Sequence, residues 1–372
     1  MSVRMERIDE KRKHMMSSRS ISVTANDKER VSYIFLSLPC PENCCDQKYV
    51  VSTDRSGDIH VHVQGDLSQQ DKRCVFLTVH DLGTNHTSIH EFVNSPCMLE
   101  IRDRSCFIHV DVPGHEDNAP NLPDSYQFPP LQTLGEDLIT VLDFLHVKYV
   151  VGLGEGAGAN VLARCALAHP RRLLGLVLIN CTGSPSSVMD SFKNKFMKWR
   201  GGEVTQSEQD FLLYHKFGQH IVQETDSDKE RILQEFLARL RGSLNSHNLK
   251  LYVKAFLERK DLSLRNCLPD TLLITGALSP YAAVVEKLYR DGNKEKVSLL
   301  KVEHSGDVLS EEPAKVAQSL LLFCQGQGQL TSLSLPGVER RMSRAMSMEE
   351  YDTPNVRRLS LTPACPPSPS KV

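Results

Sequence analysis

Tyr149-Val150-Val151-Gly152-Leu153-Gly154-Glu155-Gly156-Ala157-Gly158 is an apolar run that breaks into alternating glycines. Such a run reads as a buried strand entering a tight turn. Ala159-Asn160-Val161-Leu162-Ala163-Arg164-Cys165-Ala166 follows as a helix. Acyl-transfer enzymes carry their nucleophile on a strand–turn–helix of this kind, written G-x-S-x-G, where the strained turn lifts a serine above the sheet. Here Gly152-x-Gly154-x-Gly156 puts Gly154 at the serine position, and sliding the register by two again puts a glycine there. Glycine has no side chain to acylate, so the frame of a catalytic site is present without its nucleophile.

Working outward, Lys48–Thr53 and Ile59–Val63 alternate apolar and polar residues around a turn at Asp54-Arg55-Ser56-Gly57-Asp58, which predicts a hairpin. Cys74–Val79 and Cys106–Val110 are continuous apolar runs, suited to parallel strands buried on both faces. Leu131, Leu134, Leu138, Val141, Leu142 and Leu145 fall on one helical stripe, and Gly175–Asn180 reads as the next strand. From about 184 to 265 only helical patterns occur: Phe211–Val222, Arg231–Leu240 and Leu249–Leu257. Alternation then resumes with strand Thr271–Thr275, helix Ala282–Tyr289, strand Lys296–Val302 and helix Pro313–Phe323. The expected fold class is α/β: an α/β-hydrolase-like, mostly parallel sheet with helices on both faces and a helical cap insertion. The expected domains are a disordered segment over 1–45, the hydrolase-like domain over 46–325 with its cap at about 184–265, and a disordered tail over 326–372.

Acyl transfer also needs a base and a carboxylate. The carboxylate position, just past Leu272-Leu273-Ile274-Thr275-Gly276, holds Ser279. Counting back from Glu311 and Pro313, the base position falls on Gly306. Nucleophile, acid and base positions are thus all empty, which predicts a pseudo-hydrolase. A residual esterase would have to use Cys181 or Ser184 with His304, although Glu303 and His304 read better as a solvent-facing strand end. The loop His80-Asp81-Leu82-Gly83 stands where hydrolases supply oxyanion amides. His80, Gly83, Gly154 and Glu155 therefore form a candidate pocket for an anion or a small acyl or lipid-like ligand.

Metal and cofactor sites are not expected. His80, His86, His90, His109 and His115 read as lacking a helical H-x3-H or a carboxylate partner, and Cys40, Cys44 and Cys45 lack a second ligand pair. The glycines also match G-x-G-x-x-A at Gly152, Gly154 and Ala157, but a dinucleotide fingerprint belongs at the first strand of its fold. A net charge of -2 predicts no bulk attraction to nucleic acid. The basic stretch from Met1 to Ser22 has no apolar segment of the secretory kind, and no run of about 18 apolar residues occurs. Eleven scattered cysteines then suit reduced thiols, and a cytoplasmic location is expected.

Thr78-Val79-His80-Asp81-Leu82-Gly83-x-Asn85-His86, His109-Val110-Asp111-x-Pro113-Gly114, the glycine turn through Ala159, and Gly175-Leu176-Val177-Leu178-Ile179-Asn180 together resemble the N-myc downstream-regulated (NDRG) family. Ser279-Pro280 and Gln325-Gly326 fit the same pattern, and the resemblance covers roughly residues 48 to 328. It implies an α/β-hydrolase-like fold without established hydrolase activity. It also implies cytoplasmic roles in stress response, differentiation, growth control and vesicle traffic, with a tail that kinases modify. The cap and both termini match the family less well.

The tail supports the last point by its own residues. Arg340-Arg341-Met342-Ser343, Arg344-Ala345-Met346-Ser347 and Arg357-Arg358-Leu359-Ser360 suit basophilic kinases, while Thr362-Pro363 and Ser368-Pro369 suit proline-directed ones. Each phosphate brings about -1.5 to -2 charges and would weaken any peripheral contact of the tail with acidic membranes. The expectation is a non-enzymatic adaptor or regulator that binds protein partners through its cap helices and tail.

Overall fold

Cys74–Val79 and Ser105–Asp111 are buried at every position, as strands covered on both faces must be. In the computed structural model, which describes residues 34–36, 47–184, 206–218 and 227–334, they are β4 and β5 of a nine-stranded sheet. The other strands are β1 (Ile34–Leu36), β2 (Gln47–Thr53), β3 (Gly57–Gln64), β6 (Val150–Glu155), β7 (Leu173–Ile179), β8 (Asp270–Gly276) and β9 (Val297–Val302). Their order is β1-β2-β3-β5-β4-β6-β7-β8-β9. Pairing is antiparallel from β1 through β3 to β5 and parallel from there to β9. This is the mostly parallel, hydrolase-like sheet that the alternation of strand and helix patterns predicts.

The helices are α1 (His86–Asn94), α2 (Leu99–Asp103), α3 (Leu131–Phe144), α4 (Gly156–Ala168), α5 (Gln206–Phe217), α6 (Ser227–Gly242), α7 (Ser246–Leu257), α8 (Ala282–Asp291), α9 (Val308–Glu311) and α10 (Pro313–Gly326). Between β7 and β8 the described residues form α5, α6 and α7 and no strand. The first of these ends at Phe217 rather than Val222, because Gly218 adopts φ 78° and stops it. Helix α1 was not expected from its mixture of histidines and β-branched residues. Its start signal is Asn85, whose side chain accepts the Thr87 amide as an N-cap.

Alternating strand residues feed two core layers. One holds Val61, Leu77 and Val79 against Leu138 of α3, Leu162 of α4 and Tyr252 of α7. The other holds Phe76, Phe107, Val151 and Val177 against Phe92 of α1 and Leu320 of α10. Gly152 and Gly154 lie on the α4 side of β6, where a Cβ would come within 2.8 Å of Leu176 or 2.7 Å of Leu162. Their alternation in the sequence therefore serves close helix–sheet packing. At the other end of the domain, Gln325 Nε2 donates to the carbonyls of Leu330 and Leu333, and Leu330 is fully buried.

No described helix is long and apolar enough to cross a membrane. The proposed phosphorylation sites Ser343, Ser347, Ser360, Thr362 and Ser368, and Cys40, Cys44 and Cys45, lie outside the described residues.

Candidate functional site

The turn after β6 separates the two glycines that the sequence leaves equivalent. Gly154 is an in-strand residue, paired with Val79 on β4 and Leu178 on β7. Gly156 begins α4 with φ 49°, the left-handed backbone of a strand-to-helix elbow. The left-handed elbow therefore falls at Gly156, the centre of the second of the two sequence registers, while Gly154 lies within the strand. The strand continues one residue past the first register because Glu155 still pairs with Ile179.

The space above Gly156 is taken. A Cβ there would lie 2.1 Å from Asp81 Cγ and Oδ1. Asp81 sits in the loop after β4, and its Oδ1 accepts the Ala157 amide at 2.8 Å. That amide follows the nucleophile position, so it is the donor that would stabilise an oxyanion in an active member of this fold. Its acceptor here is an internal carboxylate. Asp81 Oδ2 is 2.8 Å from His215 Nε2, and His215 Nδ1 is 2.6 Å from the Tyr281 hydroxyl. Burial would raise the Asp81 pKa, but His215 and the Ala157 amide hold it down at about 2. Carboxylate, imidazole and hydroxyl thus line up as in a triad, yet all three residues are buried. Burial also pushes the Tyr281 phenol well above its ordinary range, so it stays protonated.

The cap inserts a second polar side chain. Lys216 of α5 bonds Glu155 Oε1 and lies 3.4 Å from Asp307 Oδ2. Asp307 is fully buried, and its Oδ1 caps α9 through the Leu309 amide. Glu155 Oε2 is buried and has no hydrogen-bond partner among the described residues. Burial raises the Glu155 pKa, with Asp307 and Asp81 adding to it and Lys216 pulling the other way. For Lys216, burial favours the neutral form, but Asp307 and Glu155 outweigh it and hold the proton. Three carboxylates, one imidazole and one lysine side chain thus form one buried cluster at the sheet top.

The remaining candidates fall around this cluster. Ser279, at the acid position, donates to Asn180 Oδ1 at 3.2 Å and accepts the Tyr281 amide at 3.2 Å, which is a turn-forming role. Gly306, at the base position, is buried and gives its amide to Glu311 Oε1 at 3.0 Å. His304 is exposed with φ 58°. His80 is buried, with Nδ1 donating to the Asp81 carbonyl and Nε2 accepting the Val112 amide, an arrangement that fits only the neutral ring. Gly83 lies beneath the cap, where a Cβ would meet Phe236 at 3.1 Å and Leu240 at 3.4 Å. The Ala157 amide, which an anion at this turn would use, is already bonded to Asp81.

Neither substitute nucleophile is equipped for the task. Cys181 is fully buried and its thiol is pushed up to about 12. It should therefore resist alkylation by iodoacetamide in the folded protein and react only after denaturation, as peptide mass spectrometry would show. Native modification of Cys181 at the rate of an exposed thiol would contradict this. Ser184 borders a separate cleft of about 420 Å³ that also presents Asp261, Arg265, Lys287 and Asp291. None of Asp81, Glu155 and Gly156 lines that cleft, and its charges do not suit an acyl chain.

One sequence expectation about histidines is overturned. His86 and His90 stand four residues apart on α1, so a helical H-x3-H exists, and Asp111 Oδ2 lies 2.7 Å from His86 Nδ1. The histidine set has both the helical spacing and the carboxylate it was read as lacking.

A family model described as the Ndr family matches residues 49–331. An uncharacterized protein of Caenorhabditis elegans is 40% identical over 331 residues, covering 87% of this chain and 98% of that one. Protein NDRG3 of Xenopus laevis is 31% identical over 81% of each chain. Protein NDRG1 of Xenopus tropicalis is 32% identical over 80% of this chain and 75% of its own. Among solved structures, a hydrolase from Pseudomonas aeruginosa aligns with TM-score 0.58 at 19% identity, over 74% of this chain and 97% of that one. A thermophilic esterase from Thermogutta terrifontis aligns with TM-score 0.59 at 17% identity, over 75% of this chain and 98% of that one. At such identities these enzymes share the fold alone.

Proposed function

Because the chain belongs to the Ndr family, we propose that it is a non-catalytic adaptor or regulatory protein that keeps the hydrolase fold as a scaffold. The observation that carries this reading is the Asp81 carboxylate, which bonds the Ala157 amide and fills the space above Gly156. Protein partners would bind through the cap helices and the tail. Basophilic and proline-directed kinases would act on Ser343, Ser347, Ser360, Thr362 and Ser368. Cytoplasmic action in stress response, growth and differentiation or vesicle traffic fits this scheme, with peripheral contact at acidic membranes tuned by tail phosphorylation.

The test has two arms. Purified full-length chain and its His304→Ala and Cys181→Ala variants should hydrolyse short-chain nitrophenyl esters only at the background rate. A basophilic kinase should place phosphate on the tail serines, read by mass spectrometry. Turnover above background that falls in either variant would remove the non-catalytic half of the proposal. A tail left unmodified would remove the kinase half.

A further inference from the structure

Strand β3 has a polar side that the sheet-top cluster does not use. Alternation sends Ile59, Val61 and Val63 to the core layer under α3 and α4, and His60, His62 and Gln64 to the opposite face. Antiparallel pairing places His60 opposite Asp111 and His62 opposite His109 on β5. Helix α1 lies over the same face and brings His86 in its first turn.

His62 Nε2 is 3.2 Å and His86 Nδ1 is 2.7 Å from one and the same oxygen, Asp111 Oδ2. The three donor atoms all lie within 4.8 Å of one another. The two rings stack with centroids 3.5 Å apart and planes 14° apart, nearly face to face. Aromatic pairs ordinarily avoid that arrangement in favour of offset or edge-on ones. As a helix cap alone, Asp111 needs only His86, whose backbone amide reaches Oδ1 at 2.6 Å and whose ring reaches Oδ2. His62 is surplus to that role. Its convergence on the same oxygen brings a third donor of metal-ligand type to one point.

We propose that His62, His86 and Asp111 bind one divalent transition-metal cation of the zinc class. Two imidazole nitrogens and one carboxylate oxygen are donors of the type zinc takes, and three protein ligands leave a further position for water. At zinc–ligand distances of about 2.0–2.1 Å, tetrahedral donors stand about 3.3 Å apart. The spacings of 3.2 and 2.7 Å fall short of that value by tenths of an ångström, and the stacked rings must tilt apart for both lone pairs to meet one ion. The carboxylate is already held from behind by the His86 amide, the kind of support that orients a metal ligand. His62 and His86 keep 11% and 10% of their side chains exposed, so the site opens to solvent on their side. His80, 4.0 Å from Oδ1, has both nitrogens committed to the backbone and stays outside the set.

Cobalt(II) serves as the probe because its spectrum reports the donor type. Full-length chain stripped of metal should bind one equivalent, with visible bands of nitrogen–oxygen coordination and no near-ultraviolet thiolate band. His62→Gln and His86→Gln keep a hydrogen-bonding side chain near Asp111 while removing the metal nitrogen. Each should weaken binding by on the order of a hundredfold or more, and His146→Gln at an exposed position should leave it unchanged. Zinc should displace the cobalt and raise the Tm of the parent chain but of neither site variant. No binding, a thiolate band, or binding indifferent to both His62→Gln and His86→Gln would overturn the proposal. Circular dichroism of the variants keeps a folding defect from passing as lost affinity.

Discussion

Gly156→Ser, the change that restores G-x-S-x-G, is expected to unfold the protein and to yield no esterase. The new Cβ would stand 2.1 Å from the Asp81 carboxylate, far inside contact distance. Asp81 is not free to turn aside, because it is tied to Ala157 at 2.8 Å and to His215 at 2.8 Å. Breaking charged hydrogen bonds costs about 1.5–3 kcal/mol each, and a side chain at φ 49° adds about 1–2 kcal/mol. The sum, on the order of 5 kcal/mol, approaches the whole stability of a typical domain. Urea denaturation is the measurement, with Gly156→Ser/Asp81→Gly as its partner. The double variant should recover much of the loss, since the colliding group is gone. A single variant with the parental midpoint would show that Asp81 does not hold that space.

Lys216→Met is expected to cost about 3–5 kcal/mol, the range for removing one member of a buried ion pair. The reason is what it leaves behind: Glu155 and Asp307, both buried, without their ammonium. The loss should depend on pH, and its sign follows from Glu155. This carboxyl is raised above its ordinary 4.5 in the folded state. Its ionisation therefore destabilises the fold progressively as pH rises from that value through the raised one. Without Lys216 that ionisation becomes harder still. The variant should suffer more at about pH 8 than at about pH 5, read as denaturation midpoints at both. Equal losses at the two values would mean that Glu155 is not the group left uncompensated. Asp81 acts in the opposite direction: its pKa is depressed to about 2, so its stabilisation fades only as pH falls from 3.8 through that value.

The sheet was legible because its strands are continuous apolar runs, and Cys74–Val79, Gly175–Asn180 and Thr271–Thr275 each became a strand with ends moved by two residues or fewer. The glycine turn was legible as an elbow, but its register was not. Gly154 and Gly156 are the same residue in sequence terms, and only a backbone angle separates a strand glycine from an elbow glycine. Asp81 was visible in the oxyanion loop, yet the direction of its side chain depends on His215, 134 positions away. Cap residues His215 and Lys216 carry one faint local signal: two basic residues set among Phe211, Leu212 and Phe217 on a helix that packs inward. Helix α1 hides its H-x3-H because only Ile89, Phe92 and Val93 mark an apolar face in its 9 residues, and its Asn85 cap was the cue that could have exposed it.

The carboxylate over Gly156 also orders the routes by which such a chain could change through time. One nucleotide can turn a glycine codon into a serine codon, so the nucleophile is a short mutational step away. Taken first, however, that step meets Asp81 at 2.1 Å and is lost with the fold. Asp81 would have to be replaced beforehand, while its loss still brings no activity to select for. On the non-catalytic reading proposed above, descent into a silent site is a ratchet, held by the stability of the carboxylate over Gly156 rather than by the absence of a serine.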